Sequence, residues 1–170
     1  RISESPIFRF AKSRGNISKL PLVDAFRAGY WKRVIHGLGF IIGGTTMTYT
    51  TSVFALTYLT SILHVPLLEV TIAQIVGFTV LIIFSPIFGM LADRYGRKPF
   101  MIAYAVGTLA FVYPYFLLIS TKSLPLIILA QAVYNFMGSW MNGAYIAMLL
   151  EMFPTRVRYT AISFIYHVGV

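Results

Sequence analysis

Four long apolar runs alternate with short polar connectors along the chain. They cover roughly 34–63, 68–92, 100–120 and 124–150, and a fifth begins near Tyr159 and stops at Val170. Each of the four reaches the roughly 20 residues that an α-helix needs to cross the hydrocarbon core. None holds Asp, Glu, Lys or Arg in its interior. A helix satisfies its own backbone polar groups, which lipid demands. The pattern predicts an all-α membrane protein with four complete transmembrane helices plus the start of a fifth. The fifth run, 159–170, is too short to span, and the chain starts at Arg1 without Met or a signal-peptide pattern. We therefore read a fragment. Pro86 and Pro114 fall inside spans, where helix breakers are tolerated and usually kink.

The connectors give an orientation. Residues 1–33 are polar, with eight Lys/Arg against Glu4 and Asp24. They read as a cytoplasmic loop with at most a short surface helix. Segment 64–67 carries no Lys or Arg, segment 93–99 three, segment 121–123 one and segment 151–158 two. Alternate connectors thus hold thirteen basic residues against one. Positive charge marks the cytoplasmic side, which places residues 1–33, 93–99 and 151–158 there. It also accounts for the net charge of +9. The basic residues line one membrane face rather than one groove, so nucleic acid is excluded as a partner. Composition agrees. Apolar residues make up 58% and charged residues 11%, against about 25% charged in an ordinary soluble domain. The absence of cysteine removes disulfide frameworks, cysteine zinc sites and thiol nucleophiles. No metal site and no cofactor is expected.

Two cytoplasmic motifs stand out. The first is Gly89-Met90-Leu91-Ala92-Asp93-Arg94-Tyr95-Gly96-Arg97-Lys98-Pro99. Gly89 permits close helix approach, and Gly96 allows a turn conformation closed to other residues. Asp93 can face the positive end of a neighbouring helix. Arg94, Arg97 and Lys98 can anchor the turn to anionic headgroups or partner carboxylates. The second motif is Glu151-Met152-Phe153-Pro154-Thr155-Arg156-Val157-Arg158-Tyr159-Thr160, on the same face. The first motif resembles the G-x-L-A-D-R-x-G-R-K loop of the major facilitator superfamily. Glu151 and Arg158 keep the E-x6-R spacing found there after the tenth span. Residues 151–160 together with Glu4-Ser5-Pro6-Ile7-Phe8 resemble the metabolite:proton symporter family. That resemblance runs the length of the chain, and implies a central loop, spans seven to ten and the start of span eleven.

Several spans carry uncharged polar groups. Gln131, Asn135, Gly138 and Asn142 are spaced by four, three and four, which at about 100° per residue makes one narrow stripe. Such groups are costly against lipid, so the stripe should face inward. It reads either as a substrate-cavity wall or as hydrogen-bonding between helices, with Gly138 for close packing. Tyr134 and Tyr145 flank it, and Tyr134 and Trp140 are possible ring donors for a quaternary amine. In the first run Thr45, Tyr49 and Ser52 share a face, although threonine hydroxyls can return to their own helix. Gln74 lies in the second run. The third has only Thr108 and aromatics, and reads as a lipid-facing support helix. Tyr166 and His167 lie in the fifth, where imidazole can titrate during transport or simply pack.

The resemblance implies a major-facilitator-type bundle and a secondary active transporter, with proton-coupled symport of a small organic metabolite by alternating access. The candidate substrate-binding residues are Tyr49, Gln74, Gln131, Asn135, Asn142, Tyr166 and His167. The candidate gating residues are Gly89, Asp93, Arg94, Gly96, Arg97, Lys98, Glu151, Arg156 and Arg158, with 93–99 and 151–158 as a cytoplasmic latch. Expected partners are the lipid bilayer, a small-molecule substrate, protons and a missing N-terminal half. The expected location is the cell inner membrane. Because no span holds a charged group in its interior, a proton-carrying carboxylate must come from elsewhere. A sugar-porter transporter and a non-transporting sensor on the same fold remain open. The sugar-porter P-E-T-K-G is missing, although Glu4-Ser5-Pro6 sits at about its place. No constellation of ionisable groups at membrane depth speaks for an enzyme.

Overall fold

A computed structural model describes residues 30–154 and 157–170. The Glu4–Phe8 motif, nearly all of the leading basic loop, and Arg156 lie outside the described residues. Every regular element described is helical.

Helix α1 starts as Trp31–Tyr49, passes through a π-helical turn at Thr50–Phe54, returns to α over Ala55–Thr57, and ends in a second π turn at Tyr58–Ile62. Helices α2 (Leu67–Tyr95), α3 (Arg97–Ser120), α4 (Leu124–Met152) and α5 (Arg158–Gly169) follow. By length and composition α2, α3 and α4 can each cross a membrane. Helix α2 continues past its apolar run through Asp93, Arg94 and Tyr95, so Gly96 alone separates it from α3. The reason is local. Gly96 has φ +91, a region that L side chains rarely adopt, and one such residue suffices to turn the chain. Pro99 falls in the first turn of α3, where a missing amide donor costs nothing.

Contacts divide the chain into two compact units. One is Thr46–Met148. Here α2 and α4 run parallel, as two intervening reversals require, and meet along a seam of small residues. A Cβ on Gly77 would meet Asn135 Nδ2 at 2.6 Å, and one on Gly138 would meet Leu81 at 3.2 Å. One on Gly143 would lie 2.5 Å from the Gly89 amide nitrogen and 2.7 Å from the Ser85 carbonyl. Such approach is what small residues permit when lipid supplies no hydrophobic drive. The share of the most apolar stretch buried within the fold rises from 11% in α2 to 22% in α3 and 39% in α4, so α4 is the inner helix. Ala55, Leu59, Val70, Ala73, Tyr115, Ile119, Ile127 and Ala130 form the apolar core. Further along, Phe84, Phe88, Phe136 and Trp140 stack edge to face with centroids 5.0–5.9 Å apart, a favoured aromatic geometry.

Among the described residues, the other unit joins 30–45 with 149–154 and 157–170. Gly37 lies against Ile165 and Leu149, and Gly169 against Ile41. The Arg33 guanidinium donates to the Met152 carbonyl at 2.7 Å, and Arg158 Nε donates to the Phe153 carbonyl at 3.0 Å. Both close carbonyls at the end of α4, where cations are favoured.

Candidate functional site

The densest polar contacts gather around the π turn of α1. In a regular helix the Ala55 amide would donate to the Thr51 carbonyl. Here it donates to Thr50 and Ser52 instead. Side chains from other helices take its place. Tyr115 of α3 donates its hydroxyl to the Thr51 carbonyl at 3.0 Å. Gln131 of α4 donates to the same carbonyl at 3.1 Å and to the Tyr115 hydroxyl at 3.0 Å. Gln74 of α2 donates to the Ser52 carbonyl at 2.8 Å. Thr51, Tyr115 and Gln131 are 3%, 0% and 3% exposed, so water cannot substitute for these bonds.

The stripe on α4 splits along its length. Gln131 and Asn135 are buried, and Asn135 donates to the Gln131 carbonyl at 2.9 Å. Both are engaged within the bundle. Asn142 is exposed and donates only weakly to its own helix, at 3.2 Å to Gly138. Tyr49 is likewise open, at 55% exposure. Ser52 returns its hydroxyl to Thr48 at 2.6 Å, and four other threonine hydroxyls of α1 do the same within their own helix. Tyr166 and His167, in the other unit, are exposed and lie edge to face at 6.0 Å.

Sequence reasoning missed Tyr115. Helix α3 does present apolar residues outward, Ile102, Val106, Leu109 and Leu117 among them. It also buries Met101, Tyr104, Thr108, Tyr115 and Ile119 on one face. The available signal was that spacing of three, four, seven and four, which puts Tyr115 in line with Thr108.

At the turn, Arg97 Nη2 donates to Asp93 Oδ1 at 2.9 Å, with Asp93 68% exposed. Asp93 ends one helix and Arg97 opens the next, the arrangement that the helix dipoles disfavour. Their mutual pairing offsets that cost. Arg94 lies over the Tyr95 ring at 5.6 Å. Gly89 packs against Gly143. Lys98 and Glu151 are exposed. Among the described residues no group of three His, Cys, Asp or Glu could hold a metal ion.

The family model described as Major Facilitator Superfamily matches residues 37–168. The proline/betaine transporter of Salmonella typhimurium is 26% identical over 83% of this chain and 28% of its own length. An inner membrane metabolite transport protein of Escherichia coli is 28% identical over 99% of this chain and 39% of its own. The citrate-proton symporter of Klebsiella pneumoniae is 27% identical over 80% and 31%. The chain thus spans about a third of the length of these relatives. No solved structure matches significantly.

Proposed function

Because the chain belongs to the major facilitator superfamily and to a multi-pass protein of the inner membrane, we infer that it is part of a secondary active transporter. The reaction is proton-coupled symport of a small organic metabolite, an osmolyte or a carboxylate, by alternating access. Relatives named for proline/betaine and for citrate with protons support the substrate class and the coupling. The chain offers no charged group inside α2, α3 or α4 away from their ends, so the proton-carrying carboxylate belongs to another part of the protein.

The carrying observation is the pair of open, uncharged hydrogen-bonding side chains, Tyr49 and Asn142, on two predominantly apolar helices. Lipid penalises such groups unless they face water or protein. They are the leading substrate contacts in the Thr46–Met148 unit. Gln131 and Asn135 shape that wall from behind. Gln74 braces α1. Tyr166 and His167 remain candidates of the other unit.

We further propose that the 93–99 turn and the 151–158 segment act as a cytoplasmic latch. Exposed ion pairs contribute at most about 1 kcal/mol, and a contact that must break in each cycle has to be cheap. Gly96 sets the backbone of the turn, and Gly89 lets α2 approach Gly143 closely. Arg94 and Lys98 hold it to the membrane face, and Glu151, Arg156 and Arg158 are the gating candidates of the 151–158 segment.

The test is uptake by the full-length protein in proteoliposomes, with and without an inward proton gradient. Labelled betaine, proline, α-ketoglutarate, shikimate and a hexose are offered. Gradient-driven accumulation of one non-sugar metabolite, lost in Asp93→Asn with the fold intact, is the expected result. Hexose uptake alone moves the protein to the sugar-porter branch. No uptake by folded protein overturns the transport reading in favour of a sensor.

A further inference from the structure

We propose that Tyr115 and Gln131 are positioning residues that fix the helical register of α1 at Thr51, and that this register decides which side chains α1 presents on either side of it. The kinetic part of the test rests on the transport reading; the structural part does not.

The Thr51 carbonyl has two lone pairs. Both are taken by side-chain donors, the Tyr115 hydroxyl at 3.0 Å and the Gln131 amide at 3.1 Å. The Ala55 amide, which would claim this oxygen in an α-helix, has moved to Thr50 and Ser52. The two arrangements exclude each other. If Ala55 returned to Thr51, the Tyr115 and Gln131 donors would compete for a carbonyl already engaged, in a place closed to water. An unpaired buried donor is costly, so the two side chains hold the π turn in place. Gln74 on the Ser52 carbonyl adds a third helix to the same turn.

The geometric consequence follows from the count. One extra residue in a turn offsets everything beyond it by roughly 100°. Tyr49 precedes the π turn, Phe54 closes it and Tyr58 follows it, and the two later aromatics pack edge to face on Phe116 of α3. The π turn therefore lets α1 seat its later aromatics on α3 while Tyr49 stays open. Proline does not explain the discontinuity, because none lies in 31–62. The donors come from outside the helix.

The experiment places spin labels at Thr46→Cys and Thr57→Cys in the full-length protein. Both positions are exposed, one on each side of the π turn. The distance between labels is measured by electron paramagnetic resonance in the parent, in Tyr115→Phe, and in Tyr115→Phe with Gln131→Leu. We expect one distance in the parent, a broadened distribution in Tyr115→Phe, and a shift of several ångström in the double variant. A double variant that elutes as folded protein yet keeps the parent distance overturns the proposal. If the double variant does not fold, Tyr115→Phe, which loses only a hydroxyl, decides in the same way. In uptake, a positioning role raises KM several-fold at near-parent kcat. Unchanged KM in a variant whose label distance has moved overturns the positioning role. A parent that transports nothing overturns the transport reading, and the distances alone then decide the register.

Discussion

Helices α1 and α2 depart from the expected behaviour in opposite senses. Helix α2 contains Pro86, the residue that most disturbs helices, and yet runs unbroken from Leu67 to Tyr95. The helical stretch from Trp31 to Ile62 contains no proline and departs twice from the α hydrogen-bond pattern. The difference lies in the neighbours. Pro86 is exposed, so little of its ring is packed. Thr51 sits among polar side chains from α3 and α4, which offer its carbonyl better donors than its own helix does. A helix inside a membrane bundle is thus disturbed more effectively by hydrogen-bond donors of adjacent helices than by a breaker of its own.

Four substitutions test that contrast, in order of expected effect on the full-length protein in detergent. Gly143→Leu should be the most damaging. Its Cβ would lie within 2.7 Å of two α2 backbone atoms, and overpacking of this kind costs about 1–3 kcal/mol or more. A large fall in Tm, or loss of folded protein on gel filtration, is the expected reading; a parent-like Tm breaks the α2–α4 seam described above. Gln131→Leu follows, at about 1–3 kcal/mol, because it strands buried polar groups around Thr51. Tyr115→Phe should cost about 0.5–1.5 kcal/mol, visible as a smaller fall in Tm. Pro86→Ala should be the mildest, with a Tm equal to the parent's or above it, since it restores an amide donor to α2. If Pro86→Ala lowers Tm more than Tyr115→Phe does, the comparison fails.

Asp93 and Gly96 frame a second contrast within the turn. Gly96→Ala forces a side chain into φ +91, a strain of order 1–3 kcal/mol, and should lower Tm. Asp93→Asn removes an exposed ion pair and should leave Tm nearly unchanged. A latch role predicts that Asp93→Asn, not Gly96→Ala, shows the larger loss of uptake per degree of Tm lost.

Much of the fold was legible because lipid makes strong demands. Runs of about 20 residues without charge have only one economical backbone solution, and the residues of α2, α3 and α4 state it directly. The signature turn was also legible, since glycine at 96 and the charges around it are local facts. The candidate substrate face was legible only in outline. Periodicity grouped Gln131, Asn135 and Asn142 on one stripe, yet it could not separate those held inside the bundle from the one left open. That distinction depends on how closely α2 and α4 approach, which Gly77 on α2 and Gly143 on α4 set together.

The sequence by itself determined that the chain is helical, membrane-embedded and turned tightly at Gly96, because hydropathy, charge and φ freedom act over a few residues. Only the tertiary structure decided that Thr51 would yield its carbonyl to Tyr115 and Gln131. Those groups lie 64 and 80 residues away along the chain. A hydrogen bond between helices is fixed by their packing, to which no local pattern gives access.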